Sequence, residues 1–248
     1  MHIIAHRGSH ENLPENSFAS FWEAIELGCD KIELDLQWTY DEEIVIMHDD
    51  CLNRTAGIKA CISELRYSQL KEIKLFNGST IPRFSDVVSE ILPNIGLNCE
   101  IKGDRPGLAE KAAQIVLRSP FQDKVLFSCF YDQPLLRLKE NKIPIKRAIL
   151  WGFDTLYIHP LYYFQPSLFL NNCGTKIIHP QADLIDTLKS YLDLSQYHIT
   201  PWIPLNGENK DRLTNFWENI CEYDITGLCT NKPKKFKTWL SKQKANQK

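Results

Sequence analysis

The sequence has no apolar run approaching the roughly 18 residues that suggest a membrane span. Its most apolar stretches, such as Val125 to Tyr131, are only strand-sized. It also lacks an excess of charge: 29 Lys plus Arg stand against 31 Asp plus Glu, a formal net charge of −2. That balance provides no basic face, so a nucleic-acid partner is not expected. The opening residues, Met1-His2-Ile3-Ile4-Ala5-His6-Arg7-Gly8, show no charged region followed by a long apolar core, and so do not read as a secretory signal. None of the eight cysteines falls in a Cys-x-x-Cys pair, and no Cys/His cluster has zinc spacing. Several lie within apolar segments, where cysteine behaves as a small hydrophobe. A reduced, cytoplasmic protein is the simplest reading. No low-complexity linker or internal repeat divides the chain.

What is present is ordinary globular composition: 248 residues, 43% hydrophobic and 24% charged. This length supports one sizeable core. Short apolar runs alternate with helix-like stretches. Strands are expected at Ile3 to Ala5, Lys31 to Trp38 (with Ile44 to His48 extending or pairing with it), Gly96 to Ile101, Lys124 to Ser128, Ile145 to Leu150, Thr175 to Ile178, Ile199 to Ile203 and Ile225 to Leu228. Helices are expected between them, among others at Glu15 to Leu27, Phe84 to Leu92, Leu108 to Arg118, Asp132 to Glu140, Asp211 to Cys221 and Pro233 to Lys242. About eight strand–helix units is the count of a (β/α)8 TIM barrel, with a doubly wound open sheet as the alternative. Residues 1–248 then form one barrel domain, with an irregular insertion at about 50–80 after the second strand, holding a short helix near Ser63 to Leu70, and a frayed tail at about 243–248. The aromatic-rich stretch 151 to 172 gives no clear period. The seven lysines of residues 232–248 read as a solvated last helix.

Alternation along a strand puts residues two apart on one face. Glu33 and Asp35 in Ile-Glu-Leu-Asp-Leu therefore project together, as do Glu100 and Lys102 in Cys-Glu-Ile-Lys. Carboxylates on an apolar strand are costly unless compensated. Two solutions fit the spacing equally. One is a hard divalent cation, Mg²⁺ or Ca²⁺, held by Glu33, Asp35 and Glu100. The other is an ion-pair network of these acids with Lys102. His6 and His48, at adjacent strand ends, are a candidate acid/base pair, and Asp49 is placed to orient His48. Arg7 and Lys102 are candidate phosphate contacts, and Gly8 permits close backbone approach. Together these residues make the inventory of a phosphodiesterase.

The ordered motifs carry a further signal. His6-Arg7-Gly8, Pro14-Glu15-Asn16-Ser17-Phe18, Asp30-Lys31-Ile32-Glu33-Leu34-Asp35-Leu36, Val45-Ile46-Met47-His48-Asp49-Asp50, Leu52, Arg54-Thr55, Glu100-Ile101-Lys102, Ser128-Cys129-Phe130, Trp202 and Thr230-Asn231-Lys232-Pro233 resemble the glycerophosphodiester phosphodiesterase family across nearly the whole chain. The resemblance implies a TIM barrel with its site at the C-terminal ends of the strands. It implies Glu33, Asp35 and Glu100 as ligands of one Mg²⁺ or Ca²⁺, and His6 and His48 as acid and base. Arg7 and Lys102 would contact the phosphate, and Trp202 would belong to the pocket wall. The implied reaction splits a small glycerophosphodiester into glycerol 3-phosphate and an alcohol. A phospholipase D-like enzyme acting on lysophospholipids and a non-catalytic barrel that binds phosphorylated metabolites are the alternatives.

Overall fold

A computed structural model describes residues 1–76, 78–204 and 213–246. The strands are β1 (His2–His6), β2 (Lys31–Trp38), β3 (Ile44–Ile46), β4 (Gly96–Ile101), β5 (Val125–Cys129), β6 (Lys146–Trp151), β7 (Ile177–Pro180), β8 (His198–Ile199) and β9 (Gly227–Thr230). Eight of them run in the order β8-β7-β6-β5-β4-β2-β1-β9, every adjacent pair parallel, while β3 pairs antiparallel with β2. The remaining seam closes just beyond the short β8. Cys229 N donates to Pro201 O (2.8 Å) and Ile203 N to Cys229 O (3.1 Å). The result is the expected (β/α)8 barrel.

Parallel strands covered by helices are buried on both faces. In β2, seven of the eight residues are buried. Leu34 and Leu36 enter the main apolar core between strands and helices, while Glu33 and Asp35 point the other way, into the barrel mouth.

The helix Phe18–Glu26 starts one residue after Ser17, whose side chain accepts from Ser20 N. That cap satisfies a backbone donor that the first helical turn leaves without an internal partner. The chain leaves the helix through Gly28 at φ 66°, as a left-handed helix stop requires.

The structure adds to or changes several sequence expectations. The stretch 151 to 172 is three short helices, Phe153–Ile158, Pro160–Phe164 and Pro166–Cys173, each of the last two begun by a proline at its first turn. The short helix expected near Ser63 to Leu70 is present as Tyr67–Leu70, and the insertion also carries the unexpected helix Asn53–Ala56 and packs into a small apolar cluster that includes Val45, Met47, Leu52, Ile62 and Leu70. The reading of all cysteines as thiols is corrected at one pair, because Cys51 and Cys61 are joined in a disulfide. They face each other as an antiparallel bridge inside the insertion, a closeness that their ten-residue separation does not reveal. None of the other six forms a disulfide. The last helix runs Pro233–Asn246, past the expected end at Lys242. The helix Leu213–Cys221 was expected to begin at Asp211, which lies outside the described residues. No helix among the described residues is long and apolar enough to cross a membrane.

Candidate active site

Strand register assembles the site. Pairing of β1 with β2 sets His6 beside Glu33, and pairing of β2 with β4 sets Asp35 beside Glu100. One ligand atom from each of Glu33, Asp35 and Glu100 lies within 4.8 Å of the others. Seven of the eight residues singled out from the sequence, His6, Arg7, Glu33, His48, Glu100, Lys102 and Trp202, line a single pocket of about 380 Å³ at the C-terminal ends of the strands. Asp35, the eighth, is fully buried beside it, where it holds the pocket's cations.

The turn after β1 is tightly built. Arg7 (φ 53°) and Gly8 (φ 83°) are both left-handed. This aims the Arg7 N–H at Glu33 Oε2 (3.1 Å), and the Arg7 guanidinium reaches Asp35 Oδ2 (3.4 Å) and Glu15 Oε1 (3.1 Å). A non-glycine residue in this region is uncommon and concentrates at functional sites. Asp35 also accepts from Asn16 Nδ2 (2.7 Å). Lys102 Nζ lies 2.8 Å from Asp35 Oδ1 and 2.5 Å from Glu100 Oε1.

The charges do not balance. Three carboxylates, two buried and the Glu100 one half-buried, face two permanent cations, Arg7 and Lys102. For Asp35, the nearby Lys102 and Arg7 outweigh burial and hold its carboxyl far below the usual range. For Glu33, burial dominates, Asp35 and Glu100 add repulsion, and its pKa is pushed well up. Glu100 is raised by burial despite Lys102. Glu33 Oε1 is buried and has no hydrogen-bond partner. An unmatched buried acceptor in an acidic cluster is the environment that a hard cation relieves. The ion-pair network envisaged from sequence therefore exists, but it leaves one carboxylate uncompensated.

The two histidines are held differently. The Asn231 amide nitrogen donates to Ile203 O (3.4 Å), which turns Oδ1 toward His6 Nδ1 (2.7 Å). The Nε2 of His6 faces Glu33 Oε2 at 3.7 Å. Burial first, and then the Arg7 charge, pull the His6 pKa down to about 3, so the ring is neutral at neutral pH. His48 follows β3, and its Nδ1 meets Asp49 Oδ1 at 2.8 Å, the orienting contact expected from sequence. Trp202 packs edge-on against Phe130, with centroids 6.1 Å apart.

Other parts of the site were not assigned roles from sequence. Asn231, Glu15, Asn16 and Arg54 lie inside the recognised motifs, but each bonds a partner from another segment: His6 for Asn231, Asp35 for Asn16, and Glu15 and Arg54 for each other. His179 lines the pocket and is buried, and Asn98, Tyr131, Leu150 and Ile158 line it too. Of the aromatics at 151 to 164, Trp151, Tyr162 and Tyr163 pack in the core, whereas Phe153, Tyr157 and Phe164 are exposed.

Comparison with known proteins supports the same assignment. The model of the glycerophosphoryl diester phosphodiesterase family matches residues 6–119. A glycerophosphodiester phosphodiesterase of Bacillus altitudinis is 28% identical over 246 residues, covering 93% of this chain and 94% of that protein. One from Caldanaerobacter subterraneus is 30% identical over 184 residues, covering 65% of this chain and 76% of that protein. Among solved structures, an Oleispira antarctica phosphodiesterase in complex with the product sn-glycerol-3-phosphate superimposes with a TM-score of 0.77 at 22% identity, covering 97% of each chain; at that identity the likeness bears on the fold. With the barrel, the ordered motifs and these relatives in agreement, the chain belongs to the glycerophosphodiester phosphodiesterase family, and it is an enzyme of the phosphoric diester hydrolase class.

Proposed function

We propose that this barrel, residues 1–248 acting as one domain, hydrolyses glycerophosphodiesters to glycerol 3-phosphate and an alcohol, with a divalent cation held by Glu33, Asp35 and Glu100. The observation that carries the reading is the uncompensated Glu33 carboxylate, with its orphaned Oε1, beside two histidines and the cationic Arg7 and Lys102 in one pocket. The glycerol 3-phosphate complex of the Oleispira antarctica phosphodiesterase supports the product assignment. A bound Mg²⁺ or Ca²⁺ would neutralise the carboxylates and polarise the phosphoryl oxygen.

The chain's own residues supply the rest. Arg7 and Lys102 hold the phosphate oxygens and oppose the charge that develops on them. Neutral His6 enters as the proton acceptor. It takes a proton from the attacking hydroxyl, either of water or of the substrate's own glycerol, as the new P–O bond forms. His48, acting in its doubly protonated form with Nδ1–H on Asp49, donates the Nε2 proton to the leaving alkoxide as the old P–O bond breaks. A glycerol attack would add a second step, in which water opens the cyclic phosphate. Phe130, Tyr131 and Trp202 supply aromatic lining to the pocket.

The test is glycerol 3-phosphate release from glycerophosphocholine with Mg²⁺, with Ca²⁺ and with EDTA, alongside lysophosphatidylcholine. Cation-dependent release that EDTA abolishes is expected. A clear preference for the lysophospholipid would move the assignment to a phospholipase D-like enzyme. Binding of glycerol 3-phosphate without turnover of either substrate would leave a non-catalytic binder.

A further inference from the structure

A chain of alternating charges runs along the mouth of the barrel outside the pocket itself. Asp49, which holds His48 Nδ1 at 2.8 Å, is gripped by Arg54 through two bonds, Nε to Oδ2 (2.6 Å) and Nη2 to Oδ1 (3.0 Å). The same guanidinium grips Glu15, Nη2 to Oε1 (2.6 Å) and Nη1 to Oε2 (3.3 Å). Glu15 Oε1 in turn accepts from Arg7 Nη1 at 3.1 Å. Arg54 sits on the helix Asn53–Ala56, inside the segment closed by the Cys51–Cys61 disulfide.

We propose that Arg54 is a positioning residue that sets His48, through Asp49, and Arg7, through Glu15, in register with each other. The proposal rests on the roles given above to His48 and Arg7. All three guanidinium nitrogens of Arg54 are engaged by carboxylates, which take four of its five N–H donors. Neither Arg54, Asp49 nor Glu15 lines the 380 Å³ pocket. Stability is a poor explanation for the arrangement. The Arg54 side chain is 49% exposed, and exposed ion pairs contribute little to folding. What a planar fork adds is direction: two parallel N–H donors fix the plane of each carboxylate, which a lysine cannot do. A fixed Asp49 holds the proton of His48 on Nδ1 and keeps Nε2 toward the pocket. A fixed Glu15 stops the Arg7 guanidinium from turning away from the phosphate. Groups that orient a reacting side chain in this way commonly matter about 10- to 100-fold, because small misplacements are costly in rate.

The test uses the full chain with saturating Mg²⁺, ring-¹⁵N-labelled histidine, and the variants Arg54→Ala, Arg54→Lys, Asp49→Asn and Glu15→Gln. In the wild type, at a pH where the His48 ring is neutral, the ring is expected as the Nδ1–H tautomer. Arg54→Ala and Asp49→Asn should both spread it over two tautomers, while Glu15→Gln should leave it unchanged. On glycerophosphocholine, Asp49→Asn should lower kcat and Glu15→Gln should raise KM. Arg54→Ala should do both, losing ~10- to 100-fold in kcat/KM, with partial rescue by millimolar guanidinium and by Arg54→Lys. The lysine variant also keeps the test open if the alanine variant does not fold. An unchanged His48 ring in a folded Arg54→Ala or Arg54→Lys protein overturns the proposal, as does loss of turnover without any kcat–KM division between Asp49→Asn and Glu15→Gln. The ring signature needs no turnover. A wild type that fails to cleave glycerophosphocholine therefore counts against the functional reading, while the ring still decides the role of Arg54.

Discussion

Glu33 shows most plainly how a single residue trades stability for function. Burial and two like-charged neighbours raise its pKa, so the ion-free fold carries a carboxylate in an environment that disfavours its charge. Glu33→Gln keeps the shape and removes the charge. The ion-free protein is expected to become more stable by about 1–2 kcal/mol, because each unit of relieved shift is about 1.4 kcal/mol and only part is recovered. The same change should abolish the rise in melting temperature on adding Mg²⁺, since a cation stabilises the fold only as far as the folded state binds it. Melting curves of both proteins with EDTA and with Mg²⁺ check this. A Glu33→Gln protein that is less stable without ions, yet still stabilised by Mg²⁺, would show that Glu33 is an ion-pair partner and not a ligand.

At the scale of elements, the decisive junction is β1 to the helix Phe18–Glu26. Gly8 has φ +83°, and a Cβ there would lie 2.4 Å from Ser20 Oγ and 2.8 Å from the Ser20 backbone carbon. The hydroxyl could rotate aside, but the backbone could not. Ser20 Oγ also donates to Arg7 O (3.1 Å), which ties the turn to the helix start. Gly8→Ala is therefore expected to cost about 2 kcal/mol or more, from the left-handed backbone together with overpacking. It should also weaken substrate binding, because Arg7 must shift. Denaturant unfolding read beside KM would show both, and a shift under 0.5 kcal/mol would refute the account.

The same junction shows what sequence can and cannot reveal. The strands β2 and β4 were legible to the residue, because apolar residues alternating with polar ones between turn residues admit little else. The carboxylates on them were legible from period two alone. His6 with Asn231, separated by 225 residues, was not, because only closure of the barrel brings β9 against β1. Arg54 was equally hidden, since its partners come from the first loop and the end of β3, joined by an insertion whose small apolar cluster has no clear period. The stretch 151 to 172 failed for another reason. Prolines cut it into helices of five to eight residues, too short to show a 3.6-residue repeat.

On the scale of the whole molecule, the barrel interior encloses titratable groups that no surface argument would place there. His179, at the end of β7, is 3% exposed and contacts Asn98 Nδ2 at 3.5 Å. Burial, reinforced by the Lys31 charge, lowers its pKa to about 3, against 6.5 in an unfolded chain. Below pH 6.5 the unfolded chain takes up a proton that the folded barrel refuses. The stability that neutral His179 contributes is thus complete above pH 6.5, and it is lost as the pH falls toward 3. The loss approaches at most about 4–5 kcal/mol if the full shift is realised. Replacement by a residue that does not titrate, His179→Asn, is expected to lower stability at pH 7.5 through lost packing. It should also flatten the decline between pH 6.5 and 4, so that wild type and variant converge as the solution is acidified. Parallel curves over that window, measured by urea unfolding at half-unit steps, would mean that His179 is hydrated in the folded protein and that the acid sensitivity of the barrel arises elsewhere.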